Sequence, residues 1–265
     1  MTENITLRFL GTGTSTGVPA IGCTCPACLS TDTRDKRLRA SAIVSVGDKN
    51  LLIDCGPDFR RQIIDAGAPH LEAVLLTHSH YDHVGGIDDM RPYCHSLPDG
   101  HFPVYCTADV AEDLRNRVPY CFRENLYPGV PVFSIHEVDP KAPFMVGDIQ
   151  VTPLPVMHDR LPIIGFRIGP LAYITDAKTI PESTFSLLEG VDTLVINALR
   201  HVPHHSHMSV GEALAVVDRL KPRAVYFTHI ADALGPHASV EAALPPPVRL
   251  AYDGLSISFK RLSKN

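Results

Sequence analysis

The sequence predicts a layered α/β protein. Three observations carry that expectation. Short apolar runs bounded by Gly, Pro and Asp recur along all 265 residues, helix-length amphipathic stretches are scattered among them, and no internal repeat or low-complexity linker divides the chain. A single domain over residues 1–265 is expected.

The strand-like runs are Ile5 to Leu10, Ala42 to Val46, Leu51 to Ile53, Ala73 to Leu76, Val132 to Val138, Ile149 to Leu154, Ile163 to Ile168, Leu171 to Ile174, Thr193 to Ile196, Ala224 to Phe227 and Leu255 to Phe259. Gly47-Asp48-Lys49-Asn50 joins two of them as a hairpin turn. Helices are expected at Phe59 to Ala66, Ala108 to Arg117, Pro181 to Glu189 and Ser209 to Leu220. The last is the clearest: Ser209 and Glu212 have capping-box spacing, and Leu214, Val217 and Leu220 share a face. Pro245-Pro246-Pro247 reads as a rigid connector before a closing pair of strands.

Composition narrows the classes of function. The 24 Lys and Arg against 29 Asp and Glu give a formal charge of -5, which supplies no bulk field for nucleic acid or anionic lipid. No apolar run approaches the roughly 20 residues that span a bilayer, and the first residues do not form a charged-then-apolar signal, so a cytoplasmic location without membrane partner is expected. Seven Cys, three of them in Cys23-Thr24-Cys25-Pro26-Ala27-Cys28, suit metal ligation in a reducing compartment better than a disulfide framework. Cys55, Cys94, Cys106 and Cys121 are scattered and read as buried small hydrophobes.

The chemistry concentrates where apolar runs end. Thr77-His78-Ser79-His80-Tyr81-Asp82-His83-Val84-Gly85-Gly86 follows the run Ala73 to Leu76, and four potential ligands in six residues cannot share one strand face. They must wrap something at a strand's C-terminal end, where α/β sheets bind ligands. Leu75-Leu76-Thr77-His78, Tyr173-Ile174-Thr175-Asp176 and Tyr226-Phe227-Thr228-His229 repeat one pattern, and Leu154-Pro155-Val156-Met157-His158 also ends in His. Grouping His78, His80 and His158 for one ion, Asp82, His83 and His229 for a second, and Asp176 as a bridging carboxylate gives two sites with room for water. Such donors suit Zn, Mn or Fe alike.

These residues resemble the metallo-β-lactamase superfamily of dinuclear hydrolases, whose His-x-His-x-Asp-His signature stands at His78 to His83. The resemblance implies an αββα four-layer sandwich with His158, Asp176 and His229 as later ligands. It also implies that Asp54, ending Leu51-Leu52-Ile53-Asp54, orients a metal-bound His. Leu10-Gly11-Thr12-Gly13-Thr14-Ser15-Thr16-Gly17-Val18-Pro19, followed by the Cys cluster, is similar to the phosphoribosyl cyclic phosphodiesterase (PhnP-like) branch. That likeness runs from about Leu7 to Gly254. His207-Met208-Ser209-Val210-Gly211-Glu212-Ala213 resembles an element shared with ribonuclease Z, in which a non-ligand His sits beside the scissile phosphate, ahead of a helix N-terminus. The plainer reading is that His201, His204, His205 and His207 form a mobile, solvated His-rich loop.

The branch also holds a structural zinc on three Cys and a His. Here Cys23, Cys25 and Cys28 are present, but Asp232 occupies the His position, and His237 is the other candidate. Arg34, Lys36, Arg37 and Arg39 form the one basic cluster, a solvated face or a grip on a second phosphate. The expected activity is a metal-dependent phosphodiesterase acting on a small cyclic or nucleotide-like phosphate ester. In it a hydroxide bridging two divalent ions attacks phosphorus, with His207 neutralising charge and Asp82 or His207 protonating the leaving group. The partner is then a small phosphate ester and not a large nucleic acid, and the assembly in view is a homodimer. Ribonuclease Z, which needs a grip on tRNA that no visible basic arm of this sequence supplies, and a glyoxalase II-type thioesterase or lactonase are the alternatives. A zinc β-lactamase would carry Cys where Asp176 stands, and a metal-stabilised binding module would not need open metal positions.

Overall fold

The computed structural model describes residues 4–123 and 129–260 of the chain. In chain order, the strand β1 (Asn4–Gly11) leads to the short helix α1 (Pro26–Leu29), then β2 (Ser41–Val46) and β3 (Lys49–Ile53). Next come α2 (Phe59–Asp65), β4 (Ala73–Leu75), α3 (Tyr81–Val84), α4 (Arg91–Ser96), β5 (His101–Cys106) and α5 (Ala108–Arg117). Strands β6 (Val132–Glu137), β7 (Phe144–Val146), β8 (Ile149–His158), β9 (Leu161–Ile168) and β10 (Leu171–Ile174) follow. The remainder is α6 (Glu182–Leu188), β11 (Thr193–Asn197), α7 (Val210–Leu220), β12 (Ala224–Thr228), α8 (His237–Ala243), β13 (Val248–Leu250) and β14 (Ser256–Lys260).

Two compact units result. The first takes residues up to 10, the span from Ser41 to Asp139 and the chain's last strand, and it holds a mixed sheet in the order β14-β1-β2-β3-β4-β5-β6. Its β3 to β6 run parallel, so their C-terminal ends share one edge. Leu52, Val74, Phe102 and Val104 on one sheet face pack with Phe59 and Ile63 of α2 and with Val110, Ala111 and Leu114 of α5. The α2 and α5 apolar residues recur at three- and four-residue spacing, which is why these segments are helices. Cys55, Cys94, Cys106 and Cys121 lie in the same core, each no more than 1% exposed, as small hydrophobes do.

The second unit spans Gly11 to Ala40 and Pro140 to Leu255, with the sheet order β13-β12-β11-β10-β9-β8-β7. Here β10 to β13 are parallel. Leu194, Ile196, Val225 and Phe227 pack with Val210, Ala213 and Val217 of α7 and Val240 of α8. The capping box forms: the Ser209 side chain accepts from the Glu212 amide while the Glu212 carboxylate takes the Ser209 amide at 2.8 Å. It fixes where the chain turns from His207 into α7.

The structure adds strands β5, β7 and β13 to those the sequence predicts. β5 carries Pro103 and polar residues at alternate positions, and β7 and β13 have three residues each, too few for a periodic signal. The two strands after Pro245-Pro246-Pro247 do not close together as a pair: β13 joins β12 and β14 joins β1. The His-rich segment is not all loop, since Tyr81–Val84 forms one helical turn. No helix among the described residues is long and apolar enough to cross a membrane.

Candidate metal centres

In the first unit the turn after β3 and the turn after β4 are sewn together. The Cys55 amide donates to the His83 carbonyl at 2.7 Å and the Gly86 amide to the Cys55 carbonyl at 2.9 Å. A Cβ at Gly86 would stand 2.0 Å from the Gly56 carbonyl oxygen, so only glycine lets α3 approach this closely. Asp54, fully buried and left-handed at φ 60°, is the organising group. Its carboxylate lies 2.7 Å from His83 Nδ1 and accepts from the Thr77 amide at 2.9 Å and from the Thr77 hydroxyl at 2.9 and 3.0 Å. Burial pushes its pKa up, against the pull of His83 and Thr77.

A carboxylate only accepts, so His83 must carry its proton on Nδ1 and present Nε2, which lies 3.2 Å from Asp82 Oδ2. The same logic passes through Thr77. Its hydroxyl, spent as donor on Asp54, can only accept from His78 Nδ1 at 3.0 Å, so His78 too presents Nε2. The His78 ring centroid lies 4.6 Å from that of His80 and 4.2 Å from that of His83. Three imidazoles and the Asp82 carboxylate thus gather at the C-terminal end of β4.

The second unit gathers a matching set. His158 ends β8, and its Nδ1 donates to the Ser206 carbonyl at 2.8 Å, which again directs Nε2 outward. Asp176 and His229 follow β10 and β12, and both are left-handed, at φ 57° and 54°. Non-glycine residues in that region cost energy and collect at functional sites. His229 Nε2 lies 3.2 Å and His207 Nδ1 3.8 Å from Asp176 Oδ2. The His207 ring stacks against His229 at 4.8 Å and tilts against His158 at 4.6 Å. Donor atoms of His158, Asp176 and His207 lie within 4.8 Å of one another. His207, in the loop before α7, is therefore held inside the cluster. Burial, then the His229 charge, push its pKa down to about 3, which keeps the imidazole neutral at pH 7.

The Cys cluster assembles with Asp232. Asp232 Oδ2 stands 3.0, 3.6 and 3.7 Å from the sulfurs of Cys23, Cys25 and Cys28. A tetrahedron with Zn–S of about 2.3 Å and Zn–O of about 2.0 Å has an S···O edge of about 3.5 Å, so the donors fit zinc. His237 is not the fourth donor: it is buried, its amide donates to Asp35 at 2.7 Å, and its Nδ1 lies 3.0 Å from Arg37. The basic cluster is not one solvated face, since Arg37 is buried within it. Arg37 is 4% exposed and donates to Thr12 Oγ1 and to the Ala251 carbonyl, both at 2.7 Å. Arg34 pairs with Asp32, and Lys36 Nζ donates to the Cys28 carbonyl. Arg39 donates to the Ser15 carbonyl.

Sequence reasoning misses three groups that shape these sites: Thr77, the Ser206 carbonyl and Asn197. Asn197 ends its apolar run as Asp54, Asp176 and His229 end theirs, and that shared position was the available signal.

A Beta-lactamase superfamily domain model matches residues 49–230. The chain is 36% identical to a structure described as a new diphosphatase from the PhnP family, covering 98% of this chain and 99% of that one with a TM-score of 0.91. It is 43% identical over 249 residues to an octanoyltransferase of Porphyromonas gingivalis, covering 93% of this chain and 50% of the relative, so it spans about half that protein's length. A ribonuclease Z of Mycobacterium bovis is 27% identical over 233 residues, covering 76% of this chain and 82% of the relative. Two mixed sheets flanked by helices match the αββα fold, and on the domain match and the diphosphatase likeness the chain belongs to the metallo-β-lactamase superfamily of hydrolases, in its PhnP-like branch.

Proposed function

We propose that the protein hydrolyses the phosphorus–oxygen bond of a small doubly substituted phosphate, a cyclic or nucleotide-like diester or a diphosphate. His78, His80 and His158 would hold one divalent ion, Asp82, His83 and His229 the second, and Asp176 both. The donor chemistry suits this: imidazoles beside carboxylates are borderline ligands for Zn, Mn or Fe, and in His78, His83 and His158 a partner on Nδ1 leaves Nε2 to face the site. When bound, two such ions supply Lewis acidity and water activated for attack at phosphorus.

The observation that carries the reading is His207. The ligand sets account for His158, Asp176 and His229 without it, yet it is largely enclosed among them with Nδ1 3.8 Å from Asp176. A neutral imidazole there donates a hydrogen bond to a phosphate oxygen and stabilises charge that builds in the transition state. Asp82 or His207 would hand a proton to the leaving oxygen. Phosphate chemistry is supported further by the PhnP-family diphosphatase likeness. The net charge of -5, with Arg37 of the basic cluster buried, favours a small substrate over precursor tRNA.

Cys23, Cys25, Cys28 and Asp232 would hold a separate zinc that supports the fold.

The test is turnover of bis(p-nitrophenyl) phosphate, a ribose cyclic phosphate, a dinucleoside diphosphate, an octanoyl thioester and a short precursor tRNA, by wild type and His207→Ala. The small phosphates should be hydrolysed, with kcat falling roughly 100- to 1000-fold in the variant while metal content is retained. Thioester hydrolysis indifferent to His207→Ala, or preferential tRNA cleavage, would overturn the proposal.

A further inference from the structure

Asn197 is the last residue of β11 and is fully buried. Its side-chain amide makes a two-way clasp on one residue: Oδ1 accepts from the Ala177 amide at 2.8 Å, and Nδ2 donates to the Ala177 carbonyl at 2.9 Å. That carbonyl also accepts from the Met208 amide, at 2.9 Å. Ala177 follows Asp176 directly, and Met208 follows His207. One buried side chain therefore braces the residue after the left-handed Asp176, while the shared carbonyl ties that residue to the one after His207.

The clasp is not needed to make the sheet. β11 pairs with β10 and β12 through its backbone, and the Ala198 amide already donates to the Thr228 carbonyl. What the amide group adds is local. A left-handed aspartate relaxes unless the surrounding structure over-determines it, and each degree of backbone rotation at Asp176 or Ala177 swings the carboxylate. A rigid amide fixing both backbone groups of Ala177 removes that freedom. The hydrogen bonds of the Asn197 side chain go to the Ala177 backbone, so it acts through the backbone.

We infer that Asn197 is a positioning residue that sets the Asp176 carboxylate for metal and holds His207 at its distance from it. The inference rests on the proposed phosphate chemistry only for the role of His207. The Asp176 part stands on geometry and metal binding alone.

The experiment has two arms. In the first, Zn and Mn affinities of wild type, Asn197→Ala and Asn197→Asp are measured by chelator competition, with melting temperatures of the metal-free proteins recorded alongside. Asn197→Asp keeps the acceptor for the Ala177 amide and loses the Nδ2 donor, so it decides the matter if Asn197→Ala does not fold. Outer partners of metal ligands change affinity by about 10- to 100-fold, and a loss in that range is expected in the folded variants. In the second arm, kcat on bis(p-nitrophenyl) phosphate is followed through the cycle of Asn197→Ala and His207→Ala. The Asn197 substitution should lower kcat about tenfold or more in wild type, and by less than about threefold once His207 is gone, because interacting residues are not additive. Wild-type metal affinity in a folded variant, or strictly additive losses in the cycle, would overturn the inference. If no phosphate ester is turned over by wild type, the proposed function fails, and the affinity arm still decides whether Asn197 positions Asp176.

Discussion

Asp54 offers the sharpest test of how the chain prepares its histidines, because two substitutions there should separate fold from metal binding. Asp54→Ala removes the acceptor for the Thr77 amide and for His83 Nδ1, both in residues no more than 1% exposed. Each orphaned buried donor costs about 1–3 kcal/mol, so the pair costs about 2–6 kcal/mol. Alanine at φ 60° adds about 1 kcal/mol that aspartate largely avoids. At roughly 2–4 °C per kcal/mol for a chain of this size, metal-free Asp54→Ala should melt at least about 6 °C lower. Asp54→Asn behaves differently. Its oxygen still accepts from Thr77, while its NH2 group faces His83 Nδ1 and can only donate to it. The imidazole must then carry its proton on Nε2, the nitrogen needed by a metal. Asparagine tolerates the left-handed backbone, so stability should change by less than about 1 kcal/mol while metal affinity falls about 10- to 100-fold. Calorimetry of metal-free protein and chelator competition with zinc read the two quantities. An Asp54→Asn protein that binds zinc as tightly as wild type would refute the tautomer argument, and an Asp54→Ala protein with an unchanged melting temperature would refute the orphaned-donor argument.

Three further outcomes are expected. Arg37→Met should destabilise the protein by about 3–5 kcal/mol, since it strips the partner from Thr12, Ala251 and His237, yet leave KM for small phosphates unchanged; a raised KM with normal stability would restore Arg37 as a substrate contact. Burial raises the Asp253 carboxyl to about 6 from 3.8, so the folded state binds its proton more tightly, and the stability this confers is full below about pH 3.8 and lost as pH rises through 6. Relative to Asp253→Asn, wild type should therefore lose up to about 3 kcal/mol across that window, and parallel curves of melting temperature against pH would contradict it. Cys25→Ser and Asp232→Ala should each cost one zinc per chain and lower the melting temperature, whereas His237→Ala should keep the zinc count; elemental analysis decides, and a zinc lost only with His237 would reverse the assignment.

The residues of the candidate metal centres were legible in the sequence because the signal is local. A polar ligand type after an apolar run needs only a strand and its end, and His78 to His83, His158, Asp176 and His229 all stand there. The capping box at Ser209 and Glu212 was legible for the same reason, both partners lying within one helical turn. Helices α2, α5, α6 and α7 follow from apolar spacing, while three-residue strands such as β7 and β13 carry no period to read.

Tertiary structure decided everything that depends on a partner far along the chain. Which of Asp232 and His237 meets the thiols, both far along the chain from Cys23, is settled by Arg37 and Asp35 occupying His237. Arg37 sits in a charged stretch that reads as solvated, and its burial is visible only when Thr12 and Ala251 are brought to it. Asn197 is one polar residue after an apolar run until Ala177, 20 residues earlier, folds back onto its amide and Met208 shares the same carbonyl. Residue type fixes what a side chain can donate or accept, and the fold alone fixes which atom stands 3 Å away to receive it.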